Sequence, residues 1–491
     1  MEKQPAKINY FFKDGYKEFG RTIAATFVRC GNVISRCWSS VRNSFSELWY
    51  NALSVIAVDD VFISFFKAIG YAFVFGFSLG RLILSAIFTP IICVLVSIVQ
   101  CIALVIMMTL FYIAYLFIAF VDWLYRSIKK ISTSCPSCQE KYSLPAYVCT
   151  CGAVHTHLVP SKYGVLNRTC ECGRKLKTTF FNGRHKQPGK WICPKCGYEL
   201  GGPLQVDIPI PVVGGPSSGK TCYISMAISQ IEANAAENGL EFEYKPNVAL
   251  GDDYEYNRQN MESGRLPEKT NDTRMRYYQF YLTPRGEKVK NLISICDVAG
   301  EAYESNSELG KQIGYKYANA FLMVVDPLSL RKYREEVSSQ ISLSKYGASE
   351  RGMDEVLDTL INTLQNMNCL NSKNMIKTDV AVVFTKCDIP GLNDKIGDEA
   401  VSRAMQLQNI KSKFEATNRV CEQFLIEYEE ENFLNSLKSK FKSIQFFTCT
   451  ALGHVEDGSN FAPAGVEEPA LWLIDKASAS INLKEKWGKK I

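Results

Sequence analysis

Eight consecutive residues, Gly214, Gly215, Pro216, Ser217, Ser218, Gly219, Lys220 and Thr221, satisfy the spacing G-x-x-x-x-G-K-[ST]. Glycines at those positions let backbone amides curl around a β-phosphate, the lysine reaches the β and γ oxygens, and the threonine hydroxyl binds Mg2+. The pattern needs a strand before it and a helix after it. Here the apolar run VDIPIPVV precedes it, and Cys222 opens the helical stretch CYISMAISQI that follows. Such a loop does not tell ATP from GTP, so the base must be read elsewhere in the chain.

Three later segments complete the site, and two of them could read the base. The apolar strand Asn291 to Cys296 runs into Asp297-Val298-Ala299-Gly300, where Asp297 would join the magnesium shell and the Gly300 amide would sense the γ-phosphate. The strand Val380 to Phe384 delivers Thr385-Lys386-Cys387-Asp388. A carboxylate there accepts two hydrogen bonds from guanine N1 and N2 while Lys386 lies along the base; adenine offers no such donor pair. Ser443 to Phe447 then leads to Thr448-Cys449-Thr450-Ala451-Leu452-Gly453, placing backbone amides near guanine O6. Together these residues call for GTP or GDP with Mg2+, the metal held by Thr221 and Asp297.

A second chemistry lies upstream. Of the 18 cysteines, eight form four close pairs: Cys135 and Cys138, Cys149 and Cys151, Cys170 and Cys172, Cys193 and Cys196. Two thiolates one or two residues apart grip one tetrahedral Zn2+, so eight ligands make two sites, which are expected to be structural. Pairing in sequence, 135/138/149/151 with 170/172/193/196, needs only short loops and is expected over nested pairing. Lys175, Lys177, Arg184, Lys186 and Lys190 beside Phe180, Phe181 and Trp191 would also suit a nucleic-acid ribbon. The inner face of a membrane explains the same charge, so nucleic acid is disfavoured. His155, His157 and His185 are expected in surface roles, the thiols being a full set.

These modules need elements to carry them, and 491 residues are too many for one core. Net charge is +6 but uneven: Arg126 to Glu199 holds thirteen Lys/Arg against three Asp/Glu. Leu82 to Val121 has no charged side chain. One bilayer crossing takes about 20 such residues, so this run of about forty predicts a hairpin of two crossings, turning near Thr89-Pro90 or near Ser97 to Gln100. Met1 to Phe45 is basic, with eight Lys/Arg against three acidic residues, and so is the downstream flank. Both flanks then prefer the cytoplasm. The expected location is the inner (plasma) membrane, multi-pass, with zinc module and nucleotide domain in the cytoplasm. Tyr10 to Trp49 reads as an amphipathic helix, either interfacial or packed on the soluble domain. No cleavable signal peptide is visible. The expected segments are 1–60, amphipathic; 61–125, membrane hairpin; 131–200, double zinc ribbon; and 204–491, nucleotide-binding domain.

From about Val206 to Asp475 the order and spacing of these motifs resemble the TRAFAC clade of P-loop GTPases, Ras-like and translation-factor-related. Within it, GGPSSGKT, DVAGE, the VDP after AFLMVV, and TKCD are similar to prokaryotic double-GTPase-type domains, which often sit beside zinc-binding and membrane segments. The resemblance implies an α/β fold with a mostly parallel sheet, helices on both faces and the nucleotide at the strands' carboxyl ends. It also implies GTP hydrolysis. Ras-like enzymes place glutamine after D-x-x-G to orient water; here Glu301 stands there, and slow turnover without an activator is expected. Thr270, rather than Thr273, is expected to close over magnesium, and Arg265 and Arg274 are the nearest candidates for an arginine finger. Leu328 to Lys377 reads as ordinary solvated helix. The leading expectation is a membrane-anchored switch, its partners a lipid bilayer, an activator or effector protein and a possible second copy of the chain. The alternatives are a GTP-gated effector that remodels or permeabilises membrane, and a non-hydrolysing GTP-sensing scaffold.

Overall fold

The computed structural model describes residues 4–55, 61–135, 137–138, 140–200, 205–245, 251–263, 265, 267, 276–297, 313–349, 351–453, 461–483 and 486–487. The chain divides into two units, Met1–Trp123 with Leu158–Gln187, and Leu124–His157 with Pro188–Ile491.

Two long helices dominate the first unit, α1 (Asp14–Val55) and α2 (Val61–Ile128), the last turn of α2 belonging to the second unit. They run antiparallel: Phe12 meets Tyr112 and Tyr115 near one end, and near the other Ser44 and Ser78 hydroxyls lie 3.2 Å apart. On α1 the buried residues Cys37, Val41 and Ser44 recur at helical spacing, while Arg21, Arg29, Arg36 and Arg42 are exposed. The amphipathic segment packs only part of its apolar surface on α2: Phe27, Trp38 and Trp49 stay exposed. Within 61–125 the expected hairpin does not form: α2 is one continuous helix with Pro90 inside it. Leu82 to Val121 contains no Gly, Asn or Asp to make a turn, and proline is tolerated in long apolar helices. Among the described residues, this is the one helix long and apolar enough to cross a membrane. Multi-pass insertion by a turn inside the apolar run is thereby corrected.

Eight short strands follow: β1 (Thr133–Ser134), β2 (Lys141–Tyr142), β3 (Ala146–Val148), β4 (Val154–His155), β5 (Asn167–Thr169), β6 (Lys175–Lys177), β7 (Lys190–Ile192) and β8 (Glu199–Leu200). In the first unit, β5 pairs with β6. There too Asp122, fully buried, accepts hydrogen bonds from the Phe180 amide and from Arg184 Nη1 at 3.1 Å. In the second unit β1 pairs with β2, and β4-β3-β7-β8 form a small sheet.

The larger sheet runs β10-β11-β12-β9-β13-β14-β15, built from β9 (Gln205–Val213), β10 (Leu240–Tyr244), β11 (Arg276–Pro284), β12 (Lys290–Asp297), β13 (Ala320–Val325), β14 (Ile376–Phe384) and β15 (Phe441–Thr448). β12, β9, β13, β14 and β15 are parallel; β10 and β11 are antiparallel additions. Alternation sorts the core. Ile208, Ile210, Val212, Leu322 and Val324 face α3 (Lys220–Asn234) and the helix Glu467–Ala477, whereas Phe321, Met323 and Val325 face the helices Met353–Asn366 and Lys413–Glu427. Pro209 and Pro211 sit in a central strand, where a missing N–H is normally costly. The Pro209 carbonyl accepts from Asn319 N–H, so these residues point toward β13, whose ladder with β9 begins only at Val212.

Candidate nucleotide site and cysteine cluster

Strands β9, β12, β14 and β15 end in the segments that carry the expected chemistry. After β9, Gly219 turns at φ +89° into α3, a conformation that strains any side chain. Lys220 Nζ donates to the carbonyls of Gly214 and Gly215, 2.9 Å each, holding the loop's curl. Thr221 Oγ1 lies 3.3 Å from Asp297 Oδ2 at the end of β12. A hydroxyl and a carboxylate so placed are the hard oxygen donors Mg2+ takes, so the residues present fit that ion. Burial beside the loop pushes the Cys222 thiol up to about 11, leaving it a neutral packing group.

The segment after β14 is stitched to this loop. Thr385 Oγ1 donates to the Ser218 carbonyl at 3.0 Å. Lys386, at φ +58°, donates from Nζ to the Ser217 carbonyl (3.0 Å), the Gly347 carbonyl (3.0 Å) and Asp326 Oδ2 (2.7 Å). Asp326 follows β13, is shut off from solvent, and also accepts from the amides of Leu328 and Ser349. Sequence reasoning missed its role; its signal was the aspartate of VDP, noted only as a family mark. Next along the chain, Asp388 Oδ1 accepts a 2.7 Å hydrogen bond from Thr450 Oγ1, which in turn accepts from the Gly453 amide. One carboxylate edge is thus fixed by the loop after β15, alongside the partly buried Ala451 and Leu452. A cleft of about 1450 Å3 opens here, lined by Asp388, Thr450 and Gly453 and, farther out, Phe414, Trp472 and Trp487.

Gly300, Glu301, Thr270, Thr273 and Arg274 lie outside the described residues. Arg265 is exposed. Of Leu328 to Lys377, the helix Met353–Asn366 buries Val356, Leu357, Leu360 and Leu364 against the sheet. It is therefore a core helix with one wet face rather than a solvated one.

The cysteines pair differently from the sequential expectation. Cys135, Cys138, Cys193 and Cys196 come together with sulfur atoms within 4.8 Å of one another, Cys135–Cys196 at 3.5 Å and Cys138–Cys193 at 3.6 Å. Tetrahedral zinc at about 2.3 Å from each thiolate sets its ligands about 3.8 Å apart, so the set fits Zn2+. The cause is long-range strand pairing: Tyr147 of β3 lies opposite Trp191 of β7, their rings 5.0 Å apart, which carries the last pair back to the first. Gly197, at φ +77°, makes the tight turn after Cys196, and a backbone hydrogen bond from Tyr198 draws the Cys196 thiol down to about 7. Cys149, Cys151, Cys170 and Cys172 are the paired cysteines left outside this set.

Residues 208–436 match the family described as Double-GTPase 2. This segment is similar to P-loop GTPase domains of the double-GTPase kind. No curated protein matches the chain. Among solved structures it is similar to the RocCORdC portion of Methanosarcina barkeri Roco2 bound to GDP, at 8% identity and TM-score 0.23, covering 57% of this chain and 52% of that one. It is also similar to the S. cerevisiae Ski7 GTPase-like domain, bound to GTP or to GDP and inorganic phosphate. Each of those shows 10% identity and TM-score 0.28, the first covering 56% of this chain and 50% of that one, the second 55% and 49%. The chain thus spans about half the length of these solved proteins.

Proposed function

We propose that the double-GTPase domain binds GTP and hydrolyses it to GDP and phosphate, acting as a switch on a chain held at a membrane by α2. The observation that carries this reading is the joining of Asp388 to the phosphate loop through its own neighbours. Lys386 bonds the Ser217 carbonyl and Thr385 the Ser218 carbonyl, while Thr450 steadies Asp388. A nucleotide whose β-phosphate lies in residues 214–221 then meets at its base end a carboxylate that prefers guanine. Mg2+ held by Thr221 and Asp297 would neutralise charge on the β and γ oxygens. Lys220 leaves the loop carbonyls for those oxygens, and the loop amides bind phosphate without reorganisation.

Membrane attachment rests on α2 and on the lipid-compatible exposure of Ile83, Ile91, Leu95, Val99 and Val105 along it. Zn2+ held by the four thiols around Cys135 would supply folding energy to strands too short for a core of their own. An activator, an effector or a second copy would act on this site from outside. Lys220→Ala tests the reading: it should abolish binding of a fluorescent GDP analogue by the detergent-solubilised chain while zinc content stays unchanged. If the variant binds as tightly as the parent, residues 214–221 are not the phosphate site.

A further inference from the structure

Beside the phosphate loop lie residues that no motif identified, 347–349 and 351, held there by the Gly347 carbonyl on Lys386 and the Ser349 amide on Asp326. It is packed so closely that a Cβ on Gly215 would lie 3.1 Å from Ser349 Oγ and 3.6 Å from Arg351 Cβ. Gly214, Gly215, Ser218, Ser349 and Arg351 line one small hollow. Three polar side-chain atoms in it, Ser218 Oγ, Ser349 Oγ and Arg351 Nη1, are buried without a hydrogen-bond partner. Buried donors are seldom left so, because each loses its water and gains nothing. Among the described residues Arg351 is anchored on one edge, Nε to Glu355 Oε2 at 3.0 Å, with its side chain 18% exposed.

The geometry points to Arg351 as a residue that places positive charge on the terminal phosphate of the bound nucleotide, in cis. The inference rests on the GTP-binding reading above. A guanidinium is always charged and presents a planar fork that matches phosphate oxygens. Its side chain is long enough to carry that fork from the flank of Gly215 to the mouth of the loop, and the free Nη1 is the donor available to do so. The need is chemical as well: by its place in the sequence Glu301 follows D-x-x-G, where Ras-like enzymes keep a neutral glutamine, and a cation on the phosphate would offset such a charge. A cis arginine accelerates GTP hydrolysis substantially in other GTPases. Because Arg351 meets the γ-phosphate and GDP lacks one, its contribution separates triphosphate from diphosphate.

The test compares the full-length, detergent-solubilised chain with Arg351→Ala, Arg351→Lys and Glu355→Ala. The readouts are affinities for GDP, for a non-hydrolysable GTP analogue and for GDP with aluminium fluoride, together with single-turnover hydrolysis. Arg351→Ala should leave GDP affinity within about twofold, weaken the triphosphate analogue and the aluminium fluoride complex at least tenfold, and slow hydrolysis by about 100-fold or more. Lysine should restore part of the triphosphate preference, and Glu355→Ala should retain it. If Arg351→Ala weakens GDP and triphosphate equally, or neither, or behaves as Glu355→Ala does, the residue is structural and the inference is overturned. If the parent binds no guanine nucleotide, the function proposed above fails instead.

Discussion

Replacing Asp326 with alanine probes how the base-reading and phosphate-reading segments are held together. The carboxylate is fully shielded and serves three donors: the amides of Leu328 and Ser349, each at 2.9 Å, and Lys386 Nζ at 2.7 Å. Orphaning a buried N–H costs about 1–3 kcal/mol, and removing one partner of a buried ion pair about 3–5 kcal/mol. These losses share one carboxylate and do not add. Lys386 also keeps its bonds to the carbonyls of Ser217 and Gly347. The net expectation is about 4 kcal/mol, a large part of the roughly 5–15 kcal/mol that a domain commands. Asp326→Asn, of equal size, should cost nearly as much, because an amide turns donors toward donors. Urea unfolding of the solubilised chain measures the loss, and hydrogen exchange locates it. Amides of residues 347–349 and of the phosphate loop should lose protection together. A cost below about 1 kcal/mol, or exchange confined to residues 347–349, refutes the reasoning.

Other expectations follow from the same geometry. Asp122→Ala should destabilise the first unit by about 3–5 kcal/mol by leaving Arg184 buried and unpaired on that side, measured as a lowered thermal midpoint; a shift under a degree counts against it. Asp207 lies buried in β9, where loss of water holds its carboxyl above the usual range, opposed by hydrogen bonds from Ser134 and Ser294. A raised folded-state value means the stability gained on protonation is fully present below about pH 4, the unfolded value, and fades as pH rises through the folded one. Asp207→Asn should therefore gain on the parent as pH rises from about 4 to the folded-state value and hold that gain beyond it in paired urea titrations, and parallel curves would exclude this. Cys193→Ser should release one of two zinc ions per chain by elemental analysis and loosen β7 and β8, with the second ion retained. A parent holding no zinc would contradict the assignment.

What could be read from residues alone was what local sequence controls. The loop Gly214 to Thr221 and the strand ends at Asp297, Asp388 and Thr450 each sit within a few residues of the strand that positions them, so order and type sufficed to place them at strand ends. The pairing of the cysteines did not, because it depends on β3 meeting β7 more than forty residues away. Short loops favoured sequential pairing, and strand registry won. Leu82 to Val121 was legible as apolar, yet its length was divided into two crossings when nothing in it makes a turn. Ser349 and Arg351 carry no motif; Asp326 brings them to the phosphate loop, and that contact exists only in the fold. Val356, Leu357, Leu360 and Leu364 did announce a buried face by helical spacing, but charged neighbours disguised it.

The central claim is that Asp388 selects guanine. Titrating the solubilised full-length chain with GDP, ADP and xanthosine diphosphate by calorimetry, in parallel with Asp388→Asn, tests it most directly. The parent should bind GDP and neither of the others, and the variant should lose GDP and gain the xanthine nucleotide, because an amide donates where the carboxylate accepted. Equal binding of ADP by the parent, or an unaltered preference in the variant, contradicts the account.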